Sequence, residues 1–226
     1  MKNRNLDNFY GIHPILAVLA IWVTQDIAMR YFFNRKTIIG KEYISSIKGS
    51  IILAPTHRSR WDGLVLTLAL GRRETKKDCR FMVTKPEMAG IQGWFLKRLG
   101  CFSINQESPS LSSLRYALNL IVKEEQVVIF PEGKINKYGK KLPLKQGLFR
   151  LAQLAKKKGS PVNIVPIGIA YDQVIPRFRG NVALCIEEPL TINNFSEISV
   201  DKFNNSLRER INNAELKALN QVGRLL

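Results

Sequence analysis

Acid is what the charged residues of this chain lack. Eighteen Asp and Glu oppose 35 Lys and Arg, leaving a formal net charge of +17 over 226 residues. A field of that sign draws anionic partners, whether nucleic acid, an acidic membrane surface, or phosphorylated substrates and acidic carriers. Cysteine is scarce too. Cys79, Cys101 and Cys185 are odd in number, far apart, and include no C-x-x-C pair. That argues against a disulfide framework and against thiolate metal ligation, and it suits three small core residues in a reducing compartment. No internal repeat or low-complexity tract is visible. Apolar residues at 45% and charged residues at 23% describe an ordinary globular chain, long enough for one well-filled domain and a small appendage.

A long apolar run is missing as well. The stretch from Pro14 to Thr24 is interrupted by Gln25 and Asp26, and it is about half of the ~20 apolar residues that a spanning helix takes. No clear small-residue cleavage site follows it, which counts against a secretory signal. The expectation is a membrane-associating helical segment over residues 1–36 that lies in the interface or dips into one leaflet. Trp22, Tyr31 and Phe32 would sit near the headgroups, with Arg30, Arg35 and Lys36 beside them. The alternative is a helix packed on the domain's own core.

Residues 37–226 alternate between strand-like and helix-like runs. SIILAP (50–55), RFMVT (80–84), CFSI (101–104), QVVIF (126–130), PVNIVPIGIAY (161–171) and NVALCIEEPL (181–190) read as strands. Residues 62–70, 86–99, 110–124, 146–159 and the tail from 195 read as helices, the second with a kink at its glycines. Such alternation predicts an α/β fold: a mixed, largely parallel central sheet flanked by helices, with the N-terminal segment attached. In such sheets, ligands bind beyond the carboxyl ends of strands.

Two polar groups stand at such ends. His57, one of only two histidines, follows SIILAPT in the stretch HRSRWD, and Pro131-Glu132-Gly133 follows QVVIF. A histidine can accept a proton near neutral pH, and an aspartate commonly fixes its tautomer. Asp62 is placed for that. It is equally placed for a plainer role: with Ser59 as N-cap, Asp62 falls at the third helical position, where a carboxylate bonds back to the cap.

The wider pattern resembles the glycerolipid acyltransferase family, whose members acylate glycerol 3-phosphate or lysophosphatidate. His57 and Asp62 match its H-x4-D. Phe130, Pro131, Glu132 and Gly133 match F-P-E-G, Lys145 and Gly147 match the K-x-G that follows, and Val165, Pro166 and Ile167 match a fourth block. The resemblance implies an O-acyltransferase that moves a fatty acyl group from acyl-CoA or an acyl carrier protein thioester to a hydroxyl of a lysolipid, foremost 1-acylglycerol 3-phosphate. His57 would deprotonate the acceptor hydroxyl and Asp62 would orient the ring. Pro131, Glu132, Gly133, Lys134 and Lys145 would bind substrate, with Glu132 on the acceptor hydroxyls. No serine or cysteine in the blocks serves as a covalent nucleophile, and no metal or cofactor is implied.

Two departures bear on the acceptor. Gln106 and Ile135 stand where the family places phosphate-binding arginines, and neither makes a bidentate charged contact. Lys134, Arg115 or Lys145 would have to serve as point charges, or the acceptor is not a phosphate monoester and a glycolipid comes into view. A non-catalytic lipid-binding protein on the same scaffold is the competing reading. Lysines and arginines crowd 134–158 and 72–80, as expected for docking to anionic headgroups, coenzyme A phosphates or an acidic carrier protein. No nucleic-acid motif accompanies the charge, so nucleic acid is not an expected partner. The expected location is the cytoplasmic or stromal-type face of a membrane, where activated acyl donors are made.

Overall fold

A computed structural model describes residues 11–105, 110–191 and 199–224. Helix α1 runs from Pro14 to Phe32 as one unbroken element, with π-helical hydrogen bonding over Trp22–Ala28. Gln25 and Asp26 do not end it, because both find partners on the domain. The Gln25 amide donates to the Thr67 carbonyl at 3.1 Å, and Asp26 takes both arms of the Arg73 guanidinium at 2.6 Å. The helix is therefore 19 residues long, and by length and composition it is apolar enough to cross a membrane.

The sheet has eight strands among the described residues. They are β1 (Phe33–Ile39), β2 (Ser50–Pro55), β3 (Cys79–Thr84), β4 (Phe102–Ile104), β5 (Gln126–Val128), β6 (Val162–Tyr171), β7 (Gly180–Ile186) and β8 (Leu190–Thr191), in the order β1-β7-β6-β2-β5-β3-β4 with β8 also on β6. β2, β3, β4, β5 and β6 run parallel, whereas β7 and β8 run antiparallel to β6. The expected mixed, largely parallel sheet is what forms. β1 lies across the 36/37 boundary and pairs with β7 from Phe33 onward, so the sheet begins before the segment assigned to the N-terminal helices ends.

Helices cover both faces, which is why the central strands are apolar on both sides rather than alternating. In β2, Ile52 and Ala54 pack with α4 (Leu111–Val122), α5 (Gly147–Lys157) and α6 (Val200–Gln221). Ile51 and Leu53 point the other way, toward α2 (Asp62–Leu70) and Met29 of α1. A side-chain period of two makes this division unavoidable once β2 is central. Two elements differ in detail from the expectation. Residues 86–99 are not one helix: a 3-10 turn over Lys85–Met88 is followed by α3 (Gly90–Arg98), because Ala89 is extended and Gly90 is left-handed at φ +58°. The strand expected over 181–190 is broken into β7 and β8, with the register on β6 shifting by one residue beside Pro166, which has no N–H for the ladder.

Candidate functional site

The site forms where β2 and β5 deliver their following loops to one rim. Thr56 leaves the sheet pinned to β6: its N–H donates to the Ile167 carbonyl at 2.9 Å and its hydroxyl accepts from Ile169 N–H at 2.9 Å. His57 comes next. Its Nδ1 lies 2.9 Å from Asp62 Oδ2, and its ring stacks on Phe130 with centroids 4.0 Å apart at 23°. The side chain keeps 20% of its surface exposed, while Asp62 has none. A proton on Nδ1 that satisfies the carboxylate leaves Nε2 as the acceptor nitrogen.

Asp62 is held on both oxygens. Oδ2 also accepts the N–H groups of Arg58 at 2.6 Å and Ser59 at 2.9 Å, and Oδ1 accepts the Tyr171 hydroxyl at 2.6 Å. The capping and orienting roles of Asp62 are thus compatible: one carboxylate caps the turn before α2 and meets the imidazole. The helix proper starts at Asp62 itself, after a turn in which the Ser59 hydroxyl accepts from Trp61 N–H at 3.3 Å. Burial pushes the Tyr171 hydroxyl pKa well above 10.0, and the charge of Asp62 pushes it further, so the phenol stays a donor.

The P-E-G turn locks against the histidine from the other side. Glu132 Oε1 accepts His57 N–H at 3.1 Å and Arg58 Nη1 at 2.7 Å, and Oε2 accepts the Asn136 amide at 2.6 Å. Asn136 N–H in turn donates to the His57 carbonyl at 2.7 Å, and Lys145 N–H donates to Pro131 O at 2.8 Å. Gly133 adopts φ +71°, a conformation that only glycine takes without strain. The family resemblance implies Glu132 on the acceptor hydroxyls. In the structure its carboxylate takes three protein donors and fastens the H-x4-D loop to the P-E-G turn.

Arg58 is the second fastening, and no motif in the sequence marks it. Its guanidinium pairs with Glu132 and, through Nη2 at 2.6 Å, with Glu215 on α6. Burial opposes its charge, but the bonds and charges of Glu215 and then Glu132 outweigh that and hold the guanidinium even more firmly protonated than usual. Behind this triad lies a cleft of about 250 Å³, lined by Lys140, Lys141 and Leu144 on one side and Arg208 and Leu216 on the other. Lys134 and Lys145 carry exposed side chains, and Ile135 is half-buried. The Gln106 position lies outside the described residues. Val165, Pro166 and Ile167 are buried in β6, beside β2. Among the described residues no group of three or more His, Cys, Asp or Glu could hold a metal.

A strand-end imidazole oriented by a sealed carboxylate, on a mixed sheet covered on both faces, defines a candidate general-base site of α/β type. The model of the family described as Acyltransferase matches residues 35–170, more than half of the chain, and the chain belongs to that family. It is 29% identical over 157 residues to a 1-acyl-sn-glycerol-3-phosphate acyltransferase of Streptococcus pneumoniae, covering 68% of this chain and 53% of that protein. It is 27% identical over 189 residues to the enzyme of the same name from Bacillus subtilis, covering 83% and 90%. The chain therefore spans about half the length of the first relative and nearly all of the second. The crystal structure of the 1-acyl-sn-glycerophosphate acyltransferase PlsC from Thermotoga maritima superposes with a TM-score of 0.61 at 21% identity, covering 96% of this chain and 84% of that one, which establishes the shared fold.

Proposed function

We propose that this chain is an O-acyltransferase that moves a fatty acyl group from an acyl thioester, on coenzyme A or an acyl carrier protein, to a hydroxyl of a lysolipid. The acceptor that its relatives' names favour is 1-acylglycerol 3-phosphate. The observation that carries the reading is the His57 ring, tied through Nδ1 to a fully buried Asp62 while the ring itself stays partly open to the rim. As the acceptor oxygen attacks the thioester carbonyl, Nε2 takes its proton, and Asp62 stabilises the imidazolium that forms. The proton then passes to the departing thiolate, so acyl group and proton exchange places in one ternary complex.

Glu132 and Asn136 act by holding the His57 main chain at its N–H and carbonyl. Lys134 and Lys145 supply positive charge at the same rim for an anionic headgroup. The apolar α1 helix supports a location at a bilayer surface, where both lysolipid and acyl chain reside. The experiment is thioester-dependent thiol release with vesicle-borne lysolipids, comparing wild type and His57→Ala. A loss of about 10²–10⁴-fold is expected, the usual worth of a positioned base. An unchanged rate in a folded variant removes His57 from the reaction. Ile135, in the place of an expected arginine, favours a second acceptor class without a phosphate monoester. A panel that includes glycolipid acceptors separates the two by which product accumulates.

A further inference from the structure

Helix α3 has an apolar face that stays largely open among the described residues. Ile91, Trp94 and Phe95 are 79%, 45% and 47% exposed. Their spacing of three and four residues puts them on one side of the helix. The opposite side is committed: a Cβ on Gly93 would come within 1.9 Å of the Met88 carbonyl oxygen, so the helix lies tight against its preceding turn and cannot roll to hide the aromatics. A charged collar adjoins the face. Lys97 follows on the last turn, and the Arg98 guanidinium lies 3.8 Å from the Trp94 ring centroid.

Its position gives the face a meaning. His13 N–H, at the start of α1, donates to the Arg98 carbonyl at 2.8 Å. The end of α3 therefore adjoins the start of the apolar helix whose Ile15, Val18, Leu19 and Trp22 are themselves exposed. On its other side, Glu87 of the preceding turn pairs with Arg60 of the HRSRWD loop at 3.5 Å. α3 also follows the carboxyl end of β3, and β2 and β3 both run parallel to β5, so it borders the rim that carries His57.

We propose that α3 is a second lipid-inserting element, which lowers Ile91, Trp94 and Phe95 into the acyl boundary of an anionic bilayer beside α1 and so sets the rim against the membrane. It rests on the membrane part of the function proposed above. An apolar stripe with aromatics and flanking cations is the composition of an interfacial helix, and the +17 chain supplies matching charge. A second copy fits less well: three side chains on a nine-residue helix fall far short of the roughly 800 Å² per partner that a stable protein interface buries.

The test uses the full chain and its three tryptophans, with vesicles of phosphatidylcholine and phosphatidylglycerol whose acyl chains are brominated at graded depth. Comparing wild type with Trp94→Phe and with Trp22→Phe isolates each indole's share of the quenching. Quenching at Trp94, strongest for shallow bromines, is expected. The triple variant Ile91→Gln/Trp94→Gln/Phe95→Gln, checked for native circular dichroism, is expected to bind vesicles about tenfold or more weakly. If Trp94 is silent while Trp22 is quenched, the role of α3 falls and the membrane reading stands. If neither indole responds, both fall. A dimer in sedimentation velocity that the triple variant dissociates also overturns the inference, since a second copy then owns the face.

Discussion

Tyr171→Phe tests the buried half of the dyad in isolation. The substitution removes one oxygen, whose bond to Asp62 Oδ1 is 2.6 Å long, and keeps the ring that stacks on Phe33 with centroids 5.8 Å apart. Packing is preserved, so the loss is polar. Asp62 is fully buried, away from solvent that could replace the bond. A hydrogen bond to a charged acceptor is worth about 1.5–3 kcal/mol. For a chain of this size that amounts to a melting temperature lower by roughly 3–12 °C. The rate should fall as well, since Asp62 is then held through Oδ2 alone and orients His57 less firmly.

The same variant has a pH signature. The unfolded phenol ionises near 10.0, whereas the folded one is held protonated well above that. Above about pH 10 the unfolded chain releases this proton first, so the stabilisation is full below that value and drains as pH rises. Tyr171→Phe should flatten this part of the alkaline limb. Urea melts across pH, with thiol-release rates at neutrality, supply the data. A variant as stable and as fast as wild type would refute the claim that the Tyr171 hydroxyl holds Asp62 in place.

Three further expectations concern the scaffold. Glu132→Gln leaves Arg58 with one carboxylate and turns an amide N–H toward existing donors; a stability loss of about 3 kcal/mol is expected from urea melts, the low end for breaking a buried ion pair, with thiol release falling in step. Gly168→Ala would set a Cβ within 2.1 Å of Glu215 N on α6. Because the obstacle is backbone, the cost should reach or exceed about 3 kcal/mol, and an unshifted thermal midpoint would contradict the packing of β6 on α6. Burial raises the thiols of Cys79 and Cys101 from 9.0 to about 12. The unfolded thiols ionise first, so stability should already decline as pH rises past about 9, and less steeply in Cys101→Ala, as followed by circular dichroism.

What was readable along the chain was whatever local chemistry writes locally. Strand-like runs each followed by a polar loop announced an α/β sheet, and His57, Asp62 and Pro131-Glu132-Gly133 could be placed at strand ends because five residues or one turn suffice to define them. Gln25 and Asp26 look like interruptions by the same logic, since hydropathy sees a polar residue but not the Thr67 carbonyl and Arg73 that receive it. Glu132 and Arg58 show the limit from within the motifs themselves. A carboxylate and a guanidinium at a strand-end rim suggest ligand contacts, and only the fold shows them turned toward each other.

The sequence by itself determined the class of fold, the excess of positive charge and the standing of His57 as a candidate base, because these follow from residue type and short-range order. Tertiary structure alone decided what holds the site rigid. Tyr171 reaches Asp62 across 109 positions and Glu215 reaches Arg58 across 157. No periodicity spans such distances. Those pairs exist because β6 lies beside β2 and α6 lies across β6, and strand order and helix docking emerge only when helices close over both faces of the whole sheet.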